Sequence, residues 1–140
     1  MNLLTQCLSL LLFFSVLSVK SQDLNSYRWN NRLFIILSDN PNSPEVRRQM
    51  SLFVNDSLAL KERKLLLLQV FPTYYLLGSD NVVRRQSGEV YFDYRTEKKP
   101  FEVILIGLDG NEKFRKSEVA IPSDIYALID GMPMRRYEKN

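Results

Sequence analysis

Arg32-Leu33-Phe34-Ile35-Ile36-Leu37 and Lys64-Leu65-Leu66-Leu67-Leu68-Gln69-Val70-Phe71 are two short and nearly continuous apolar runs. Polar turn residues bound the first run and Pro72 ends the second, so each run predicts a strand buried on both faces. Between them, Ser43 suits a helix N-cap and Pro44 suits the first helical position. Strand, helix and strand in this order predict a parallel pair with a right-handed crossover.

The helix predicted after Ser43 carries one apolar stripe and should lie on the sheet as far as about Leu60. The stripe residues recur at helical spacing: they are Val46, Met50, Phe53, Val54 and Leu58. Asn55-Asp56-Ser57 is a glycosylation sequon late in this predicted helix, and we interpret it as a chance match.

The end of the chain predicts a hairpin followed by a helix. Phe101 to Ile106 is apolar apart from Glu102, and Asp109-Gly110 is a strong two-residue hairpin signal before a returning strand within Asn111 to Val119. Pro122 then begins a helix that Gly131 ends. One face of that helix is expected to be apolar and carries Ile125, Leu128, Ile129 and Met132. The whole order predicts a mixed sheet, β-α-β and then β-β-α.

The segment from Pro72 to Thr96 has weaker patterns. Tyr74 to Leu77 and Asn81 to Arg85 predict a protruding hairpin around Gly78-Ser79-Asp80. Val90 to Tyr94 has strand-like residues but also fits a short helix.

The first 21 residues have the character of a signal peptide. Leu8 to Val19 are an uncharged apolar run, and Val19-Lys20-Ser21 offers a cleavage position after Ser21, leaving residues 22–140 as one domain. Cleavage predicts an extracytoplasmic location, secreted or periplasmic, with no membrane attachment afterwards. An uncleaved anchor is the alternative, because no Lys or Arg precedes the apolar run.

The composition excludes several chemistries. The chain has no histidine, and its single cysteine, Cys7, lies within the predicted signal peptide. A domain without either residue type cannot exchange thiols, reduce peroxides through sulfur or hold a metal through imidazole or thiolate. We therefore expect no cofactor, and the lack of a disulfide favours a bacterial source for an exported domain of this size.

Charge gives no indication of a nucleic-acid partner. Loss of Lys20 lowers the formal net charge from +3 to about +2. The basic residues come as separated pairs with acids between them: Arg47-Arg48, Arg84-Arg85, Lys98-Lys99 and Arg135-Arg136. A nucleic-acid surface needs a dense basic stripe on one face, so no such partner is expected.

Three short motifs carry a family resemblance. They are Arg28-Trp29-x-Asn31-Arg32, Leu105-Ile106-Gly107-x-Asp109-Gly110-x-x-Lys113 and Ile129-Asp130-Gly131-Met132-Pro133-Met134-Arg135-Arg136-x-Glu138. Together they resemble the domain of unknown function 4174, a module of small exported bacterial proteins and of vertebrate extracellular sushi-repeat proteins. The resemblance implies an α/β, thioredoxin-like three-layer fold that lacks redox cysteines, and Lys99-Pro100 before the third long strand agrees with it. It implies a compartment but no reaction.

The candidate structural or partner-binding residues come from these motifs: Arg28, Trp29, Arg32, Asp109, Gly110, Lys113, Asp130, Met132, Pro133, Met134, Arg135 and Arg136. An acid at a helix C-terminus favours a cationic partner, so we predict that the tail folds back and that Asp130 pairs with Arg135 or Arg136. Trp29 is either an edge anchor or an exposed recognition residue.

Two other places have weaker site signals. In redox-active thioredoxins the cysteines lie between the first strand and the first helix, where this chain has Ser38 to Ser43. Free N–H groups there can meet an anion, although the acid at Glu45 favours a structural role. Asp39-Asn40 and Asp109 to Glu112 contain oxygen ligands but lack the spacing of a calcium loop, and we interpret both as turns.

These observations predict an exported, non-catalytic binding or structural module. Its expected partner is another extracytoplasmic protein or a matrix or cell-envelope component, and the sequence carries no indication of an oligomeric state. The alternative is a cofactor-free extracytoplasmic enzyme that uses carboxylate, tyrosine or lysine groups in a cleft. No catalytic or metal-binding residue is assigned.

Overall fold

The computed structural model describes residues 24–78, 90–96 and 99–140, together with the backbone of residues 84–87. The predicted signal peptide and the tip of the predicted hairpin at Ser79-Asp80 lie outside these residues. Within the described part of the chain, no helix is both long enough and apolar enough to cross a bilayer.

The described elements follow one another in the predicted order. They are a 3₁₀ helix at Leu24–Tyr27, β1 at Arg32–Ser38, α1 at Pro44–Phe53, α2 at Ser57–Glu62, β2 at Leu65–Val70, β3 at Tyr74–Leu77, β4 at Arg84–Ser87, α3 at Val90–Tyr94, β5 at Phe101–Ile106, β6 at Glu112–Lys116, α4 at Pro122–Asp130 and α5 at Pro133–Glu138.

The strands form one mixed sheet in the order β4-β3-β2-β1-β5-β6. β1 is parallel to β2, with Phe34 opposite Leu67, and antiparallel to β5, with Phe34 opposite Leu105. The remaining neighbours are antiparallel pairs. The predicted α/β class, the parallel pair and the β5–β6 hairpin are therefore confirmed. The hairpin loop is longer than the predicted two-residue turn, since residues 107–111 separate β5 from β6.

Helices cover both faces of this sheet. Alternate residues of β1 enter two separate cores, because successive side chains of a strand point to opposite faces. Phe34 and Ile36 pack in one core with apolar residues of α1, α2 and α4, whereas Leu33 and Ile35 pack in the other with Leu24 and α3. The result is three layers, and all seven residues of β1 are buried.

The structure corrects the length of the first helix. α1 ends at Phe53, the chain turns at Val54 and Asn55, and a separate α2 begins at Ser57. Val54 and Leu58, which helical spacing placed on the apolar stripe, are 68% and 70% exposed. The reorientation lets Asp56 accept a hydrogen bond from the Tyr126 hydroxyl of α4 at 2.7 Å, a contact that helical periodicity does not encode.

Three further details of the prediction are resolved. Val90–Tyr94 is a helix and not a strand, and the second strand of the protruding hairpin lies at Arg84–Ser87, a few residues later than predicted. Gly131 caps α4 as expected. On the predicted apolar face of α4, Ile125 and Ile129 are buried, whereas Leu128 is 43% exposed.

Candidate functional site

The three sequence motifs meet at the end of the sheet where β1 begins. The Trp29 N–H donates to the Leu108 carbonyl at 2.7 Å, which joins the first motif to the hairpin. A Cβ at Gly110 would lie 3.3 Å from Arg28 Cδ, and the φ of +80° at this position also favours glycine. Most of the candidate residues therefore belong to one region of the molecule.

The backbone at this end is strained. Trp29 and Lys64 have φ values of 69° and 49°, and they are the two non-glycine residues of the described chain with positive φ. The left-handed region is disfavoured for such side chains, and strain of this kind concentrates at functional sites. Trp29 is 58% exposed, with the Arg28 guanidinium 5.1 Å from its ring centroid, so the edge-anchor interpretation does not describe it.

Arg32, the first residue of β1, is a completely buried arginine. Its Nη1 donates to the Arg63 carbonyl at 2.9 Å and to the Glu138 carboxylate at 3.2 Å. Its Nε and Nη2 are buried and have no hydrogen-bond partner among the described residues. A buried donor without a partner is energetically costly.

The tail folds back through an ionic network, as predicted, but with different leading partners. Asp130 pairs with Arg135, whose Nε is 3.4 Å from Oδ1. It binds Arg63 more closely, through Nε at 3.1 Å and Nη2 at 2.8 Å. Of the two arginines that were predicted as alternatives, Arg135 is the partner, since Arg136 is exposed and no described contact joins it to Asp130.

Arg63 and Glu138 are the network members that the sequence did not single out for pairing. Arg63 lies 67 residues before Asp130, and Glu138 lies 106 residues after its partner Arg32. Neither separation leaves a periodic signal. Glu138 ends the C-terminal motif, and this was the one sequence feature that indicated the Arg32–Glu138 pair.

Cations outnumber anions in this network, and they lower the pKa of both carboxyls. Arg63 holds the pKa of Asp130 below its usual range, against an opposing effect of burial. At Glu138 burial is the largest single effect and raises the pKa, but Arg32, Lys64 and Arg135 together outweigh it, so the pKa is lowered. The guanidiniums of Arg32, Arg63 and Arg135, together with Lys64 and Lys139, thus share three carboxylates, those of Glu62, Asp130 and Glu138.

A cavity of about 620 Å³ opens beside Arg32. We call it the motif cavity, and its lining is Arg32, Gly107, Leu108, Asp109, Lys113, Ala127, Leu128, Gly131, Met132, Pro133 and Met134. Six of the twelve candidate residues belong to this lining, all of them within the three motifs. Its volume is in the range of small-molecule sites.

The hairpin shapes one wall of the motif cavity. Lys113 Nζ lies 2.8 Å from the Asp109 carboxylate, and this ion pair lowers the pKa of Asp109. A Cβ at Gly107 would come within 2.7 Å of Lys113 Cε, so glycine at this position leaves room for the lysine side chain. The cavity therefore combines a buried arginine, a neutralised ion pair and apolar side chains, which suits binding.

The two weaker candidate sites are filled by local hydrogen bonds. Ser43 Oγ accepts from the Val46 N–H and donates to Glu45, while Ser38 Oγ accepts from the Asn40 N–H. Asp109 accepts from the Asn111 N–H within the hairpin turn. In the described ranges, no group of three metal-ligating residues converges.

The protein is a mixed α/β domain in which the three sequence motifs meet at one end of the sheet and line a cavity. The chain belongs to the family described as Domain of unknown function (DUF4174), whose model matches residues 23–138. It is also similar to coiled-coil domain-containing protein 80 of Danio rerio, with 29% identity over 132 residues. That match covers 82% of this chain but 15% of the relative's length. No solved structure matches the chain.

Proposed function

We propose that this protein is an exported, non-catalytic binding module with a thioredoxin-like fold, and that the motif cavity is its binding site. The observation that carries the proposal is a cavity of about 620 Å³ whose lining brings residues of the three motifs together beside the buried Arg32. Apolar lining with a few polar groups is the usual construction of a ligand pocket.

The thioredoxin-like assignment is supported by the strand order. β1 is parallel to β2 and antiparallel to β5, which begins the terminal hairpin, and this is the arrangement that the resemblance implied. Helices α1 and α4 pack on one face and α3 packs on the other, again in agreement. Export is supported by the apolar run at Leu8 to Val19.

A binding role is favoured over catalysis by the state of the acids. A general acid needs a raised pKa, whereas the pKa values of Asp109, Asp130 and Glu138 are all lowered. Asp109 is the acid in the lining of the motif cavity, and Lys113 neutralises it. No second carboxylate of the lining faces it.

The proposal is tested by a fragment screen on isotopically labelled protein spanning residues 22–140. We expect hits to shift the amide resonances of Gly107, Leu108 and Met132, and a panel of chromogenic esters, glycosides and phosphoesters to show no turnover. Leu128→Trp should block the hits because Leu128 lines the cavity. Leu52→Trp is the matched control, since Leu52 is a helical leucine of similar exposure outside that lining.

Two results would overturn the binding module. One is turnover of any panel substrate by the pure protein. The other is a set of hits that leaves the amides of the motif cavity unmoved and is equally sensitive to Leu128→Trp and Leu52→Trp.

A further inference from the structure

The charged residues in the lining of the motif cavity are already neutralised within the chain. Arg32 pairs with Glu138 at 3.2 Å, and Lys113 pairs with Asp109 at 2.8 Å. The unpartnered Nε and Nη2 of Arg32 are themselves buried, so a group in the cavity does not reach them. A charge that leaves water without gaining a partner is unfavourable. The group that enters this cavity should therefore be uncharged.

Most of the remaining lining is apolar and adaptable. Leu108, Leu128, Met132 and Met134 supply the apolar surface. Methionine side chains are flexible and polarisable, so they pack against bodies of different shape. The cavity therefore suits an apolar group without demanding one exact outline.

Exposed apolar side chains continue from the motif cavity onto the surface around it. Leu128 and Met134 of the lining are 43% and 37% exposed, while Trp29 and Tyr137 are 58% and 82% exposed. Trp29 is hydrogen-bonded to Leu108 of the lining, and Tyr137 lies one helical turn beyond Met134 on α5. A small ligand inside the cavity would leave Trp29 and Tyr137 in water, whereas the surface of a partner protein would cover them together with the cavity.

Two exposed arginines add positive charge beside this apolar surface. Arg28 adjoins the hairpin, since its Cδ is 3.3 Å from the place of a Cβ at Gly110, and Arg136 lies one turn beyond Pro133 of the lining. Among the residues that the structure describes, no carboxylate lies within ion-pair distance of either arginine. Tryptophan, tyrosine, methionine and arginine are also the residue types enriched in protein interfaces. Charge complementarity therefore favours an acidic partner.

Building on the proposed binding function, we propose that the partner is an acidic segment of another protein, which inserts an apolar side chain into the motif cavity and places carboxylates opposite Arg28 and Arg136. The rest of the segment covers Trp29 and Tyr137. The ion pairs of the lining stay intact in this complex, because the inserted side chain is uncharged.

Selection from a displayed library of random peptides, each about a dozen residues long, tests the proposal on protein spanning residues 22–140. We expect the recovered peptides to share an apolar residue flanked by Asp or Glu. A synthetic peptide of that consensus, blocked at both ends, should bind at least about ten-fold more weakly when Ser replaces its apolar residue. Leu128→Trp should cause a similar loss because Leu128 lines the cavity, and Leu52→Trp should cause none.

The arginines are tested by Arg28→Glu and Arg136→Glu. Each should weaken the peptide about three-fold or more and reduce the change in affinity between about 50 mM and about 500 mM NaCl, because salt screens attraction between exposed charges. Arg48→Glu is the matched control, since Arg48 is an exposed arginine of α1 outside the lining and its replacement should change affinity less than about two-fold. All of the replaced side chains are exposed, so these variants should fold.

Three results would overturn the acidic partner. One is a library that yields no consensus, or a consensus without acidic and apolar residues. Another is equal sensitivity of the peptide to Leu128→Trp and Leu52→Trp. The last is binding to phosphatidylglycerol vesicles that Leu128→Trp alters while no peptide binds, which would assign the surface to a membrane. The fragment screen decides separately whether the cavity is a binding site, so the acidic partner can fail while the binding module stands.

Discussion

Two charged side chains are buried in the middle of the sheet, at opposite ends of β1. Arg32 begins β1, and Glu102 of β5 pairs with Leu37 near its other end. Both side chains are 1% exposed, and both leave polar atoms without hydrogen-bond partners, namely Nε and Nη2 of Arg32 and Oε2 of Glu102. The two sites therefore look equivalent when judged by burial alone.

Their surroundings differ. Arg32 lines the motif cavity of about 620 Å³, whereas Glu102 does not line that cavity. Glu102 accepts from Thr96 at 3.1 Å and lies 3.3 Å from Arg115, which Glu112 also holds. The comparison thus separates a buried charge that adjoins a cavity from a buried charge that belongs to a structural ion pair.

The largest effect is expected from Glu138→Ala, because it removes the carboxylate that Arg32 contacts in the interior. Loss of one partner of a buried pair costs about 3 to 5 kcal/mol of unfolding free energy. Urea denaturation at pH 7 measures it. Glu118→Ala is the control, since its side chain is 77% exposed and its removal should change stability by less than about 0.5 kcal/mol. A loss below about 1 kcal/mol for Glu138→Ala would show that Arg32 does not depend on this acid.

The next effect concerns the tail. Asp130 lies closer to Arg63 than to Arg135, so double-mutant cycles should give about 1 to 3 kcal/mol of coupling to Arg63 and less to Arg135. Arg136→Ala should be nearly neutral, as this side chain is exposed. Coupling that is larger to Arg136 than to Arg63 would contradict the observed network.

Acid should lower the stability that the ionic network around Arg32 gives to the protein. The folded-state pKa values of Asp130 and Glu138 are lowered, so their stabilisation is present above their ordinary values near 4 and is lost as the pH falls through the folded values. The unfolding free energy should therefore decrease from about pH 5 downward. Glu138→Gln should make this decrease shallower, while Glu118→Gln should not; identical slopes would exclude Glu138 as a source.

The smallest effect is expected at the other end of β1. Glu102→Leu replaces a buried acid, whose Oε2 has no hydrogen-bond partner among the described residues, by an apolar side chain of similar volume. Its partner Arg115 is 20% exposed, so it is not left as an uncompensated buried charge. Arg115 keeps Glu112 at 2.8 Å, so we expect a change of less than about 1 kcal/mol in the urea midpoint analysis. A loss of about 3 kcal/mol or more of unfolding free energy would show that Glu102 matters for stability as much as the Arg32–Glu138 pair does. The distinction between the two sites would then fail.

Local sequence patterns predicted the strands that are mostly buried along their length and the turn that joins the strands of the terminal hairpin. The apolar runs at β1 and β2 and the Asp109-Gly110 turn were sufficient for the sheet, because burial and turn chemistry act within a few residues. The helix break after Phe53 was missed because Val54 and Leu58 fit the helical period, while the bond from Tyr126 to Asp56 depends on a distant helix.

The motifs indicated the residues of the site but not their arrangement. Asp130 was correctly expected to bind a cation, since its position at the end of α4 requires one. The choice of Arg63 over Arg136 depends on how α2 and α4 lie in space, and the cavity exists only once three separated segments are assembled. Pairings and empty volumes are properties of packing, which sequence spacing does not determine.

Trp29 has a practical consequence for spectroscopy. It is the sole tryptophan of the chain, its ring is largely exposed, and its amide is bonded to Leu108, a residue of the motif cavity. Global unfolding should change its emission little, because the indole is already in water. The protein thus carries one tryptophan, which is hydrogen-bonded to a residue of the cavity lining, and selective excitation of its indole reports local changes there without an attached dye.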